Sequence, residues 1–227
     1  MEKTIFRDLG SIEYKQAWEY QEEQFNLVMQ AKLNKTEQPG FLLFCEHPHV
    51  FTLGKSGAES NFLINDEFMK TIQASYFHTN RGGDITYHGP GQIVGYPIID
   101  LEKFKIPLKE YIFKLEEAII HMVAEYGIEG HHYQGATGVW LDVDIPGKTR
   151  KICAIGVKAS RFVTMHGFAL NVNTNLAYFN YINPCGFTDK GVTSIEKELG
   201  HPVDFDEAKA MTRYHLAREF GMDLIEE

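Results

Sequence analysis

The segment that most constrains the fold is an amphipathic helix predicted over residues 108–125. Its apolar residues recur at helical spacing: Leu108, Tyr111, Ile112, Leu115, Ile119 and Met122. A helix with a single apolar stripe must pack that stripe against another layer of the protein. Extended apolar segments precede and follow it in the sequence, so we expect the layer beneath it to be a β-sheet.

Alternating apolar residues and turn residues predict the remaining elements. Strands are expected over residues 3–9, 41–46, 49–54, 75–78, 93–100, 136–141, 151–158 and 162–172, and helices over 11–33, 66–73 and 204–220. Ser11 is the predicted N-cap of the first helix. Residues 81–92 are predicted to form a loop because of their glycines, and residues 173–194 to be irregular. Strands interleaved with helices indicate an α+β (α/β) fold with a mixed sheet flanked by helices.

Length, apolar runs and charge exclude several classes of protein. The chain has 227 residues and no evident linker, so one domain over residues 1–227 is expected. It lacks an apolar run long enough for a transmembrane helix, and its N-terminus does not resemble a signal peptide. A cytoplasmic protein without membrane contact is therefore expected. The net charge of −9 argues against nucleic-acid binding through bulk charge.

The three cysteines predict neither disulfides nor a metal site. Cys45, Cys153 and Cys185 are too few and too scattered for a disulfide framework, and no CxxC pair is present. His131 and His132 are adjacent, so on a strand they would point to opposite faces, which suits chelation poorly. No metal ion is expected.

Residues 81–92, RGGDITYHGPGQ, are a candidate binding loop. Gly82 and Gly83 would let backbone N–H groups approach a ligand, while Thr86 and His88 offer side-chain donors. The spacing matches neither GxxxxGK[ST] nor GxGxxG, so known phosphate-binding motifs do not apply. The alternative interpretation is a glycine-rich hairpin with no ligand.

Two cysteines are candidates for a reactive thiol on this evidence alone. Cys185 lies between Pro184 and Gly186 in a segment expected to be exposed, whereas Cys153 follows Lys151 by two residues on a predicted strand. A thiol with a pKa near ~8.5 is only slightly ionised at neutral pH, and a neighbouring ammonium favours the thiolate. Cysteine with lysine is therefore a workable nucleophile and base. Cys45, in an apolar strand, is expected to be a core residue, and Cys153 also suits that role.

His88 and His166 are further candidates for catalysis. Either ring could act as a general base, or simply make an orienting hydrogen bond. For His166 the orienting hydrogen bond is the preferred interpretation. No Ser-His-Asp arrangement is recognisable.

Several segments together resemble the lipoyl(octanoyl) transferases of lipoate biosynthesis. The segments are EHPHVFTLGKSG (46–57), RGGDITYHGPGQIVGYPIIDL (81–101), RKICAIGVK (150–158), HGFALN (166–171) and PCGFTDKGVTS (184–194), in the order that the family shows. The chain departs from the family at His49, where a second proline is common, and at Cys153, where a small residue is usual. The resemblance implies the fold of the lipoate and biotin protein ligases.

The resemblance also implies an activity and a set of site residues. It implies transfer of an octanoyl group, without a cofactor, from octanoyl-acyl carrier protein to a lysine of a lipoyl domain. Lipoyl domains of 2-oxoacid dehydrogenase E2 subunits and the glycine cleavage H protein would be the acceptors. Cys185 would carry the acyl group as a thioester, and Lys151 would be its partner. The implied substrate-binding residues are Arg81, Gly82, Gly83, Asp84, Ile85, Thr86, Tyr87, His88, Ala154, Ile155, Gly156, Gly167, Phe168 and Ala169.

The acidic chain would then have to bind acidic carrier and lipoyl domains. A local basic surface is expected to solve this problem, formed by Lys148, Arg150, Lys158 and Arg161, with Lys55 and Lys190 as further candidates. The protein is expected to act as a monomer.

Three other functions remain open at the level of sequence. An ATP-dependent lipoate or biotin ligase would require ATP and free acid. A cysteine hydrolase would release free octanoate as its main product. A non-catalytic acyl-carrier-binding protein would turn nothing over.

Overall fold

The computed structural model describes residues 1–183 and 190–226. The strands are β1 (Glu2–Ser11), β2 (Gly40–Glu46), β3 (Val50–Leu53), β4 (Ser75–His78), β5 (Ile85–His88), β6 (Gln92–Ile98), β7 (Val139–Leu141), β8 (Arg150–Ser160), β9 (Val163–Asn171), β10 (Gly191–Val192) and β11 (Met222–Glu226). The α-helices are α1 (Tyr14–Asn34), α2 (Asp66–Thr71), α3 (Leu108–Ala124), α4 (Ile195–Leu199) and α5 (Phe205–Phe220). Short 3₁₀ helices span Glu59–Asn61 and Leu176–Tyr181.

A large mixed sheet forms the centre of the protein. Its strand order is β10-β8-β9-β6-β2-β1-β11, and β7 pairs with β8 beside this path. The pairs β2–β6, β6–β9 and β9–β8 are antiparallel, whereas β10 runs parallel to β8 and β1 runs parallel to both β2 and β11. The predicted mixed sheet flanked by helices is confirmed.

The large sheet is buried on both faces, which explains the uninterrupted apolar sequence of β2. Leu42 and Phe44 pack in the cluster that contains α3 and α5, whereas Phe41 and Leu43 pack in the cluster on the α1 side. Successive side chains of a strand point to opposite faces, so a strand covered on both sides must be apolar throughout.

A second, smaller sheet carries the candidate loop. Its strand order is β4-β3-β5, with β5 antiparallel to β3. The small sheet has a separate buried apolar cluster that contains Phe51, Ile85 and Tyr87. Ile182, from a much later part of the chain, also belongs to this cluster. The small sheet therefore fixes residues 85–88, which continue directly from the turn at residues 81–84.

Several predicted elements are wrong in detail. Ser11 is not a helix cap: β1 continues to Ser11, which lies opposite Glu46, and Glu13 precedes the helix. Residues 81–92 are not entirely loop, because Ile85–His88 pair with β3. Within residues 173–194, a 3₁₀ helix and β10 interrupt the expected irregular chain.

The C-terminal part contains two elements that the sequence patterns did not predict. These are helix α4 and strand β11, which pairs with β1. Asp204 caps α5, since its carboxylate accepts a hydrogen bond from the Glu207 N–H at 2.9 Å. Among the described residues, no helix is both long and apolar enough to cross a membrane.

Candidate active site

A cavity of about 590 Å³ lies between residues 81–88 and the hairpin formed by β8 and β9. Leu108 and Ile112, from the first turns of α3, contribute to its wall. The cavity is also lined by residues 135–137, Phe179 and Val192. This volume and mainly apolar lining suit a small acyl ligand.

Arg81 fixes the turn that forms one wall of the cavity. Its guanidinium is buried and donates hydrogen bonds to the Thr52 carbonyl at 2.5 Å and the Thr52 hydroxyl at 2.9 Å. A further bond runs to the carbonyl of Gly82 at 3.0 Å. On the other side, the Gly82 N–H donates to the Val157 carbonyl of β8 at 2.9 Å. The turn thus links the small sheet to the large one.

Glycines on both sheets make this link possible. A Cβ at Gly54 would lie 2.3 Å from the Gly83 carbonyl oxygen, and one at Gly156 would lie 2.9 Å from the Gly82 oxygen. Backbone atoms cannot give way as a side chain can, so both positions need glycine. Close backbone packing, rather than side-chain packing, therefore sets the distance across the cavity.

Almost all residues implied by the family resemblance lie together at the cavity. Lining it are Lys151, Arg81, Gly82, Gly83, Asp84, Ile85, Thr86, His88, Ala154, Ile155, Gly156, Gly167, Phe168 and Ala169. Tyr87 is the exception: its ring is fully buried in the cluster of the small sheet. There the Tyr87 hydroxyl forms a hydrogen bond with His49 Nδ1 at 2.8 Å, and the Tyr87 ring stacks on the ring of Tyr178. Cys185 lies outside the described residues.

One end of the cavity is polar, with hydrogen bonds running in a chain. The Gln92 amide nitrogen donates to Asn171 Oδ1 at 2.8 Å, so its oxygen is left to accept from His88 Nδ1 at 2.8 Å. Asn171 in turn donates to the Thr193 carbonyl at 3.0 Å. This chain assigns the proton of His88 to Nδ1 and ties residue 193 to the cavity wall.

The sequence interpretation did not single out several lining residues. Tyr14, Gln92, Tyr96 and Asn171 all face the cavity. Gln92 and Asn171 lie within the segments that resembled the family, so that signal could have identified them. For Tyr14, an aromatic residue near the start of a helix, no comparable signal was present.

His88 and His166 are both held neutral. Burial, together with the nearby Arg81 charge, lowers the pKa of each ring to about 3. His166 bonds the Asn80 side-chain oxygen at 2.7 Å through Nε2, and its φ of 60° is in the left-handed region. The orienting hydrogen bond preferred from the sequence is present at His166.

Lys151 lies at the edge of the cavity with its ammonium group held in place. Nζ donates to the Thr137 carbonyl at 3.2 Å and lies 4.5 Å from the centre of the Trp140 ring. The ring is fixed in turn by a hydrogen bond from its Nε1 to the Ala136 carbonyl at 2.9 Å. A cation over an aromatic face is attracted by the ring quadrupole.

The two described cysteines are poor nucleophiles. Cys45 and Cys153 are both buried, and burial raises the pKa of each thiol well above its usual value. The register of β7 against β8 shifts between Lys151 and Cys153. Cys153 consequently packs in the core beneath α3, while Lys151 reaches the cavity. The interpretation of Cys153 as a core residue is confirmed, as it is for Cys45.

The expected basic surface is smaller than the sequence suggested. Arg150 forms a two-point hydrogen-bonded ion pair with Glu198 at 2.7 and 2.6 Å and a further ion pair with Asp142. Its role is to join β8 to α4, so Arg150 is not an open docking cation. Lys158 and Arg161 remain on the hairpin beside the cavity.

The histidine pair lies among acidic groups, and His132 is hydrogen-bonded to two of them. His132 lies between Glu116 Oε2 at 2.7 Å and Glu117 Oε1 at 2.6 Å, and His131 is 3.6 Å from Glu129. Partial burial lowers the pKa of His132, but the hydrogen bonds to Glu117 and Glu116 outweigh this and raise it overall. Within residues 1–183 and 190–226, no group of three His, Cys, Asp or Glu side chains is arranged to hold a metal ion.

The neutral buried histidines predict acid sensitivity. Below pH 6.5, His166 of the unfolded chain binds a proton, whereas His166 of the folded protein stays neutral down to about pH 3. The free energy of unfolding should therefore decrease as the pH is lowered through this range, by up to about 1.4 kcal/mol per pH unit for each such histidine. His166→Asn, which tolerates the left-handed backbone, should show a shallower fall.

Urea unfolding measured from about pH 7 to about pH 5 checks this dependence. His201→Asn, a change at an exposed position, should keep the wild-type slope. An unchanged slope in His166→Asn would show that its protonation is not linked to folding.

Comparisons with known proteins agree with this geometry. Residues 13–217 match the family described as the lipoyl protein ligase A/B catalytic domain. An octanoyltransferase of Parabacteroides distasonis is 57% identical, with the match covering 94% of this chain and 96% of that protein. One from Bacteroides thetaiotaomicron is 55% identical, with 95% of each chain covered.

Solved structures confirm the expected fold. A bipartite lipoate protein ligase from Thermoplasma acidophilum superposes with a TM-score of 0.69 at 13% identity, over 100% of this chain and 86% of that one. A biotin protein ligase from Aquifex aeolicus gives a TM-score of 0.51 at 11% identity, over 97% and 70%. The chain belongs to the lipoyl protein ligase A/B catalytic domain family and, with the octanoyltransferases as its full-length relatives, is an acyltransferase.

Proposed function

We propose that the protein moves an octanoyl group from acyl carrier protein to a lysine of a lipoyl domain through a thioester on Cys185. The cavity carries this proposal, because it places an apolar space beside Lys151 in a chain whose relatives are octanoyltransferases. The lipoyl domains of 2-oxoacid dehydrogenase E2 subunits and the glycine cleavage H protein are the proposed acceptors.

The choice of Cys185 is supported by the surroundings of the other thiols. Cys45 and Cys153 are buried in the core and hard to ionise. The chain on both sides of Cys185 is attached at the cavity, since Phe179 and Val192 line it and Val192 pairs with Lys151. The segment that contains Cys185 is therefore flanked on both sides by residues that line the cavity.

The reaction proceeds through two transfers at the same carbonyl carbon. The proton of the Cys185 thiol resides on Lys151 as its ammonium group, and the Cys185 thiolate attacks the donor thioester. The carrier's thiolate leaves and takes the proton from Lys151, which becomes a neutral amine. In the second transfer, the acceptor amine attacks the Cys185 thioester, an amide forms, and the proton of the amine passes through Lys151 to the departing sulfur.

This chemistry needs no external energy source. A thioester is exchanged for another thioester in the first transfer, and the second yields the more stable amide. Burial of the acyl chain contributes on the order of 5 kcal/mol to binding, at about 0.8 kcal/mol per methylene. Neighbouring chain lengths would differ by only ~1–3 kcal/mol, so the cavity favours octanoyl without excluding other chains absolutely.

The requirement for Lys151 and the absence of an ATP requirement can be tested together. Octanoyl-acyl carrier protein and an apo lipoyl domain should yield octanoylated lipoyl domain without ATP, whereas free octanoate with ATP should yield none. Lys151→Met should lower kcat by about 100-fold or more. Lys148→Met, on the turn before β8, should retain wild-type kcat.

Mass spectrometry of the acceptor domain gives the product directly. Product formed only from octanoate and ATP would show a ligase instead. Free octanoate as the main product from the acyl-carrier donor would show a hydrolase, and no turnover of any substrate would leave a binding protein.

The donor's acidic surface is proposed to dock at Lys158 and Arg161, on the β8–β9 hairpin. Charge reversal at both positions should raise the donor KM severalfold, weaken its dependence on salt and leave kcat unchanged, because rim charges act on encounter. Lys3→Glu, near the opposite edge of the large sheet, provides the control. An unchanged KM in Lys158→Glu/Arg161→Glu would contradict this docking surface.

A further inference from the structure

Glu116 is a buried carboxylate on the otherwise apolar inner face of α3. Its exposure is 8%, and both of its oxygens accept hydrogen bonds. Oε1 accepts from the Gly138 N–H at 2.8 Å, and Oε2 accepts from His132 Nδ1 at 2.7 Å. Burial of a carboxylate costs free energy that its hydrogen bonds must offset. What distinguishes this carboxylate from an apolar residue is the pair of hydrogen bonds that it accepts.

The peptide bond between Thr137 and Gly138 connects Glu116 to Lys151. Its N–H donates to Glu116, and its carbonyl accepts from Lys151 Nζ at 3.2 Å. In a planar trans peptide, these two groups point in opposite directions. Glu116 and the Lys151 ammonium therefore hold the same amide from its two sides, and each bond polarises the other.

The backbone at Gly138 can adopt this position only because the residue is glycine. Its φ is 127°, and a Cβ there would lie 2.5 Å from the Cys153 carbonyl oxygen and 3.3 Å from Lys151 Cε. The chain thus runs beside β8 and close to the stem of Lys151. A small rotation of this peptide would carry the ammonium group with it.

We propose that Glu116 is a positioning residue, which orients the Thr137–Gly138 peptide so that its carbonyl holds Lys151 Nζ at the cavity. His132 keeps the carboxylate aimed at Gly138, since its ring is bonded to Glu117 and stacked on Phe113 at 4.6 Å. The expected effect of Glu116 on turnover rests on the proposed role of Lys151 in proton transfer. The expected effect of Glu116 on the position of Lys151 is independent of that role.

The test compares two replacements of Glu116 that differ in one property. Glu116→Gln keeps an oxygen that can accept the Gly138 N–H, and should retain kcat to within about threefold. Glu116→Met has a similar length and no such oxygen. It should lower kcat by about 10- to 100-fold with the donor KM little changed, because a displacement of about 1 Å costs this much in catalysis. Glu110→Met, at an exposed position of the same helix, is the matched control.

Reductive methylation of Lys151, followed by peptide mass spectrometry, reports its position without turnover. Relative to Lys3 in the same sample, Lys151 should react severalfold faster in Glu116→Met and at the wild-type rate in Glu116→Gln and Glu110→Met. An unchanged rate in folded Glu116→Met, or an equal loss of kcat in the Gln and Met variants, would overturn the proposal. Faster labelling with full kcat would support the positioning and refute the role of Lys151 in the reaction.

Discussion

The position of the cavity depends on the contact between the Arg81–Gly83 turn and strand β8. Arg81 binds the turn to the small sheet through Thr52, and the Gly82 N–H binds it to Val157 of the large sheet. A buried guanidinium must be compensated by hydrogen bonds, so its geometry is tightly determined. Glycines at 54 and 156 let the backbones meet without a side chain between them. The space left beside this contact is the cavity.

Burial, with a smaller effect of the same buried charge, determines the protonation state of two neighbouring histidines. Burial and Arg81 together keep His88 and His166 neutral, so each ring has both a donor and an acceptor nitrogen. His88 uses Nδ1 to bind Gln92, and that hydrogen-bond chain continues through Asn171 to the backbone of Thr193. The Thr193 N–H donates to the Lys151 carbonyl at 2.9 Å. The two ends of the cavity are therefore one connected polar structure, with the apolar lining between them.

The parts of the fold that sequence could predict are those in which the local pattern and the tertiary environment agree. Helix α3 begins at Leu108 as expected because its apolar stripe faces the sheet, and β2 is apolar throughout because both faces are covered. Ser11 resembled a helix cap, but its pairing opposite Glu46 extends the strand past it. Strand β5 was not predicted because the glycines on either side of it favour a loop. Strand β11 was not predicted because of its acidic residues, which suit the edge of a sheet.

The residues that line the cavity were predictable from short sequence segments and not from the periodicity of helices and strands. Residues that line the cavity occur in short segments whose glycines and polar groups are unusual for a core, so a resemblance could place Arg81, Lys151 and Gly167. Glu116 was not predictable from any such segment. On its helix it is one carboxylate among several, and only the contact with residue 138, 22 positions away, distinguishes it. Long-range contacts of this kind leave no local pattern.

Intact-protein mass spectrometry after incubation with octanoyl-acyl carrier protein, in the absence of an acceptor, tests directly whether Cys185 carries the octanoyl group. We expect one octanoyl adduct, cleaved by hydroxylamine, on the wild type and on Cys153→Ala, and none on Cys185→Ala. An adduct that persists in Cys185→Ala, or a folded wild type that acquires none from an intact donor, would show that Cys185 is not the acyl carrier.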